Sequence, residues 1–121
     1  MANEPVVHIV DDDAAIRDSL AFLLDTANLV SRTYESAAAL LARAPSLEPG
    51  CIVTDVRMPD MNGLEMVRRL AEIGVRQPVI VMTGHADVPL AIEAVRAGVK
   101  DFIEKPFDDD ALLASIRAAI A

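Results

Sequence analysis

Short continuous apolar runs alternate along this chain with longer segments in which apolar residues return every three to four positions. That alternation is the pattern of βα units around a mostly parallel sheet. The runs are Val6–Val10 (VVHIV), residues 51–54 (CIVT), residues 79–82 (VIVM) and a weaker 99–103 (VKDFI). The first three are rich in Val and Ile without polar alternation, as strands covered on both faces are. A fifth run, 29–34 (LVSRTY), mixes polar and apolar positions and reads as an edge strand.

Between the runs, Ile16, Leu20, Leu23, Leu24 and Ala27 form one apolar stripe at helical spacing. The chain has four further stripes: Ala37, Leu40, Leu41, Ala44; Leu64, Val67, Leu70, Ala71; Val88, Ala91, Ile92, Val95; and Leu112, Leu113, Ile116, Ala119, Ile120. Asp87 with Pro89 suits the start of the fourth helix, and Gly98 its C′ position. Five strands and five helices with right-handed crossovers predict a single doubly wound α/β domain, (βα)5, over residues 1–121. The edge-like second strand selects the sheet order 2-1-3-4-5. A site is then expected beyond the carboxyl ends of strands 1 and 3, where the strand order reverses.

Composition narrows the function classes. The 121 residues carry 11 Lys and Arg against 19 Asp and Glu, a net charge of −8. No basic run appears, so direct contact with nucleic acid or an anionic membrane is not expected of this chain. A 53% hydrophobic content supports one core and excludes disorder. One cysteine, Cys51, makes no internal disulfide. No apolar stretch reaches spanning or signal-peptide length, and the expected compartment is the cytoplasm.

The residues just after each apolar run carry the chemistry. Strand 1 ends in Asp11-Asp12-Asp13, strand 3 in Asp55, strand 4 in Thr83-Gly84, and strand 5 in Glu104-Lys105-Pro106. In a parallel sheet these ends share one rim, so carboxylates, a hydroxyl and an amine converge. Carboxylates 4 Å apart repel by about 1 kcal/mol per pair in water and several-fold more at an effective dielectric near 20. A hard divalent cation such as Mg2+, which takes one or two carboxylates, would offset that repulsion. With Lys105, Thr83 and backbone amides near Gly84 added, the crevice suits a phosphoryl group, and Asp55 is the candidate nucleophile.

Each of these residues also has a plainer reading. Asp12 or Asp13 can cap the first helix, Thr83 can be a strand-end hydroxyl and Lys105 a solvated charge. Their joint occurrence at four strand ends carries the functional reading. His8 reads as a packed strand residue, Cys51 as a core residue, Met58, Met61 and Met66 as packing or loop cover, and Asp108, Asp109 and Asp110 as the start of the last helix. His8 and His85 lack the spacing of metal ligands.

The segments HIVDDD, TDVRMPDMNG, VMTGHAD and DFIEKPF resemble the signature segments of response-regulator receiver domains of two-component signalling, in particular the FixJ-like group. The resemblance covers residues 5–120 and implies a flavodoxin-like fold and a phosphorylation-driven switch. It implies that Asp55 accepts a phosphoryl group from a sensor histidine kinase. It also implies that Asp12 and Asp55 bind Mg2+ or Mn2+ directly, Asp11 through water, and Arg57 through its backbone carbonyl. Lys105 and Thr83 would contact the phosphoryl oxygens, with Gly84 giving close backbone access, and the Lys105–Pro106 peptide would be cis. Phe102 would be the aromatic residue that turns inward on activation, here without the hydroxyl that many members carry. Residues 87–103, helix 4 and strand 5, would form a phosphorylation-dependent homodimer. Such a domain catalyses only its own phosphotransfer and slow autodephosphorylation, and a transcriptional output would lie in an effector domain that this chain does not contain.

Two rivals differ from this. A haloacid-dehalogenase-like phosphatase would use Asp11 of the Asp-x-Asp pattern as nucleophile, but it leaves Asp55 without a role and lacks a late strand-end acidic pair. An unphosphorylated receiver-like interaction module would not need the complete set Asp11, Asp12, Asp55, Thr83 and Lys105.

Overall fold

A computed structural model describes residues 4–84 and 88–121, and the side chains of all of these except Val88 and Ala91. Five parallel strands, β1 (Val6–Val10), β2 (Val30–Tyr34), β3 (Gly50–Asp55), β4 (Val79–Thr83) and β5 (Asp101–Glu104), pair in the order β2-β1-β3-β4-β5. They alternate with α1 (Ala14–Thr26), α2 (Ala37–Arg43), α3 (Gly63–Glu72), α4 (Val88–Arg96) and α5 (Asp109–Ile120), and a short 3-10 turn, Ala44–Ser46, comes after α2. The expected fold class and strand order are both present.

Side chains alternate between the two faces of a strand, and each face of this sheet has its own core. Val7, Ile9, Cys51, Val53, Ile80 and Met82 pack against Leu20 and Leu24 of α1 and Leu112 and Ile116 of α5. Val10, Ile52, Val79 and Val81 pack on the other face against α2, α3 and α4, through residues such as Leu40, Met66 and Ala94. β1, β3 and β4 are therefore covered twice, which is why their sequences are apolar throughout, apart from their strand ends and His8. β2 is exposed at three of its five positions, as an edge strand is.

His8 is fully buried in β1, and its ring satisfies both nitrogens. Nε2 lies 2.9 Å from the Glu48 carbonyl, which can only accept, so Nε2 carries the hydrogen; Nδ1 then accepts from the Tyr34 hydroxyl at 2.9 Å. His8 is a packed, hydrogen-bonded residue and no ligand. Gly50 admits β3 against β1, because a Cβ at this position would lie 1.9 Å from the Val6 carbonyl oxygen.

Two strand boundaries and one helical stripe depart from the sequence pattern. Val99 belongs to the end of α4: Gly98, at φ 107°, donates to Val95 O (3.1 Å) and Val99 to Ala94 O (3.2 Å), a Schellman end whose apolar residue is buried. β5 therefore starts at Asp101. Leu29 closes α1 in the same way through Leu24 O (2.9 Å), so β2 starts at Val30. On α4, Ala94 faces the core, whereas Ile92 and Val95 of the predicted apolar stripe are 44% and 42% exposed. The expected helix start at Asp87, and His85, lie outside the described residues. No helix among the described residues is long and apolar enough to cross a membrane.

Candidate functional site

The carboxyl ends of β1, β3, β4 and β5 meet because the register is level: Val10 lies beside Thr54, Asp55 beside Met82, and Thr83 beside Glu104. The first acidic cluster sits where β1 passes into α1. Asp13 is the N-cap of α1, accepting from the Ala15 amide at 2.9 Å, and the sequence left that role open between Asp12 and Asp13. Asp11 turns back into the rim and accepts the Asp13 amide through Oδ1 at 2.9 Å. Asp12 is exposed, and its carboxylate makes no hydrogen bond among the described residues.

Carboxylate oxygens of Asp11, Asp12 and Asp55 come within 4.8 Å of one another. Lys105 Nζ lies 3.4 Å from Asp55 Oδ2, with the two side chains 28% and 16% exposed. Asp11 is buried, and its Oδ2 has no hydrogen-bond partner among the described residues. Burial pushes the Asp11 carboxyl above the ordinary aspartate range, and the charges of Asp55 and Asp12 add to the rise. The Asp13 amide and the Lys105 charge oppose it. The group is thus a carboxylate held in a place that disfavours its charge, with an oxygen left over.

The remaining predicted residues surround this cluster. Thr83 is buried at the end of β4 with its hydroxyl 3.1 Å from the Gly84 carbonyl, and the Lys105 amide donates to the Thr83 carbonyl at 2.7 Å. The Lys105–Pro106 peptide is cis, as expected. Arg57 is exposed in the loop after β3, its amide 3.4 Å from Asp55 Oδ1. Phe102 is half-buried beside Val81, on the sheet face that packs against α2 to α4. Cys51 is remote from this chemistry: it is fully buried, and burial pushes its thiol up to about 11.

Two further residues make main-chain contacts that the sequence assigned to neither: Arg17, outside every quoted segment, and Asp60, inside TDVRMPDMNG but given no role there. Arg17, one turn into α1, donates from Nη1 to the Asp11 carbonyl at 2.6 Å. Asp60, in the loop after β3, accepts the Ala38 amide at 2.9 Å, so it adds a second cap to α2 beside Ser36, which accepts from Ala39. An arginine and an aspartate on exposed-looking stretches give no periodic signal, and only the folded arrangement reveals their partners.

A buried, a half-buried and an exposed carboxylate stand here beside an amine, a hydroxyl and a loop of main-chain groups, a donor set of the chemical kind that hard cations and phosphoryl groups take. Comparisons with known proteins bear on the family of the chain. Residues 7–117 match the response regulator receiver domain. The transcriptional regulatory protein FixJ of Azorhizobium caulinodans is 54% identical over 114 residues, which is 94% of this chain and 54% of that protein. The crystal structure of full-length FixJ from B. japonicum superposes with a TM-score of 0.93 at 47% identity, covering 98% of this chain and 59% of that one. The crystal structure of FixJ-N gives 0.92 at 47% identity, covering 98% and 94%. The chain spans about half the length of the curated FixJ relatives it matches.

Proposed function

The chain belongs to the response regulator receiver domain family, whose members are phosphorylation-regulated signalling domains, and from that premise we propose that Asp55 is its phosphoacceptor. The carrying observation is the meeting of Asp11, Asp12 and Asp55 within 4.8 Å with Lys105 on Asp55. A carboxylate oxygen of Asp55 attacks the phosphorus of a sensor kinase's phosphohistidine. The new O–P bond forms as the N–P bond breaks, and the imidazole leaves as the neutral ring after gaining a proton. Lys105 and the Thr83 hydroxyl stabilise the transferring oxygens, and Gly84 leaves room for them beside the backbone.

The donor set fits Mg2+ or Mn2+. It is all oxygen, it carries three carboxylates, and Asp11 Oδ2 is buried without a partner among the described residues. Asp11, Asp12, Asp55 and the carbonyl of Arg57 would hold the ion. When bound, it supplies positive charge against the phosphoryl oxygens. The chain's own part is to keep those carboxylates together in a half-buried rim.

Thr83 and Phe102 read the modification. Both lie on the strands next to α4, and a contact from the Thr83 hydroxyl to the phosphoryl group would favour the inward Phe102. Ile92 and Val95, apolar yet exposed on α4, support a homodimer through α4 and β5. The proposed setting is the cytoplasm, the partner a sensor histidine kinase, and the output transcription, through the part of such regulators that lies beyond the matched half. Direct contact of this domain with DNA is not part of the proposal, given its −8 charge.

Intact-mass measurement after acetyl phosphate treatment tests the assignment. Wild type with Mg2+ should gain one phosphoryl group and shift to a dimer on sizing, and Asp55→Asn should do neither. An adduct retained in Asp55→Asn sinks the assignment, and an adduct mapped to Asp11 would favour the phosphatase chemistry instead.

A further inference from the structure

The Asp11-Asp12-Asp13 turn is fixed at the main chain on both sides of Asp11. Its amide donates to the Tyr34 carbonyl at 3.2 Å, and its carbonyl accepts from Arg17 Nη1 at 2.6 Å. The Asp11 carbonyl belongs to the peptide plane that leads into Asp12. Asp12, the exposed member of the carboxylate cluster, has no side-chain bond to orient it among the described residues. The position of its Cα and the direction in which its side chain leaves the backbone follow from the turn, and Arg17 is a group that pins the preceding peptide plane from the helix side. Arg17 is half-buried, with its own amide in the first turn of α1 bonded to Asp13 O at 3.0 Å. The guanidinium and the main-chain amide of one residue thus hold both ends of the turn.

We propose that Arg17 is a positioning residue for the cation site, orienting Asp12 toward Asp11 and Asp55 by clamping the Asp11 carbonyl. This rests on reading those three carboxylates as the cation site. The sign of the effect separates positioning from charge. A guanidinium near a cation site repels the cation, so if Arg17 acted only through its charge, its removal would tighten Mg2+ binding. If it acts by positioning, removal weakens binding, because the cluster loses an orienting partner outside its ligands.

The test is calorimetric titration of Mg2+ into the purified protein, with thermal melts in EDTA alongside. The variants are Arg17→Met, which keeps the stem and helix propensity but no donor, and Arg17→Lys, which keeps the charge and one donor group. Positioning predicts about a tenfold weaker Mg2+ affinity for Arg17→Met, in the range expected when such a partner is lost. It predicts a smaller loss for Arg17→Lys, with the Asp12 and Asp13 amide resonances shifted in both. Unchanged or tighter binding by Arg17→Met overturns the proposal. So does a variant that unfolds, or one that loses melting temperature with its affinity intact, since either assigns Arg17 to the fold. A wild type that takes no Mg2+ would instead sink the cation-site reading itself.

Discussion

Replacing Asp11 by asparagine should make the metal-free protein more stable while removing its use for a cation. Asparagine keeps an oxygen for the Asp13 amide and removes the charge that burial and two neighbouring carboxylates disfavour. At the 4.8 Å limit of the cluster, two unit charges repel by about 0.9 kcal/mol in water and about 3.5 kcal/mol at an effective dielectric of 20. Lys105 attracts Asp11 and offsets part of this. Solvent on the exposed Asp12 side screens more of it. The net gain should be about 1–2 kcal/mol, or roughly 3–8 °C in melting temperature for a domain of this size. The assay is thermal unfolding by circular dichroism in EDTA at low salt, repeated with Mg2+. Wild type should gain stability from Mg2+ by mass action and Asp11→Asn should gain little.

The pH dependence has a defined sign. A carboxyl with a raised folded-state pKa binds its proton more tightly in the native state, so stability falls as pH rises from the unfolded value through the folded one. The advantage of Asp11→Asn over wild type should therefore be full above the raised pKa and fade as pH falls toward the ordinary value of 3.8. A variant no more stable than wild type in EDTA at neutral pH would refute the claim that this carboxylate is held against its own charge.

Two further outcomes concern the scaffold. Gly50→Ala should destabilise the fold by about 2–3 kcal/mol in urea melts, since the new methyl group would have to displace the Val6 carbonyl and loosen β1 from β3. Asp60→Ala should remove one cap of α2 at a cost of about 1 kcal/mol, seen as faster hydrogen exchange at the Ala38 amide with α1 unaffected.

The sequence made the doubly covered strands legible because burial on both faces leaves no polar alternation to confuse, and β1 and β4 appear where the runs of Val and Ile put them. Strand starts after helices were less legible. Leu29 and Val99 are apolar because a Schellman end buries them against the helix just finished, and by composition that is indistinguishable from the first residue of a strand. Ile92 and Val95 were unreadable for a related reason: an apolar side chain at helical spacing does not say whether its cover is the sheet or something outside the domain. At the site, the residues with charged or hydroxyl groups at strand ends could be named from topology. Arg17 and Asp60 could not, since each acts on a main-chain atom of another segment and no pattern of residue types encodes that.

The single thiol has a practical meaning. Cys51 lies on the central strand, fully buried under α1 and α5 and with its thiolate disfavoured, so a thiol reagent can reach it only when the helical cover on that face of the sheet opens. The chain thereby carries its own clock for opening. Because the carboxylates that would hold a cation come from the ends of two strands, Asp11 after β1 and Asp55 at the end of β3, a bound cation should slow that clock by the free energy it adds to the closed state. Labelling rates at one cysteine can thus read out events at the opposite end of the strands, with no dye and no added tryptophan.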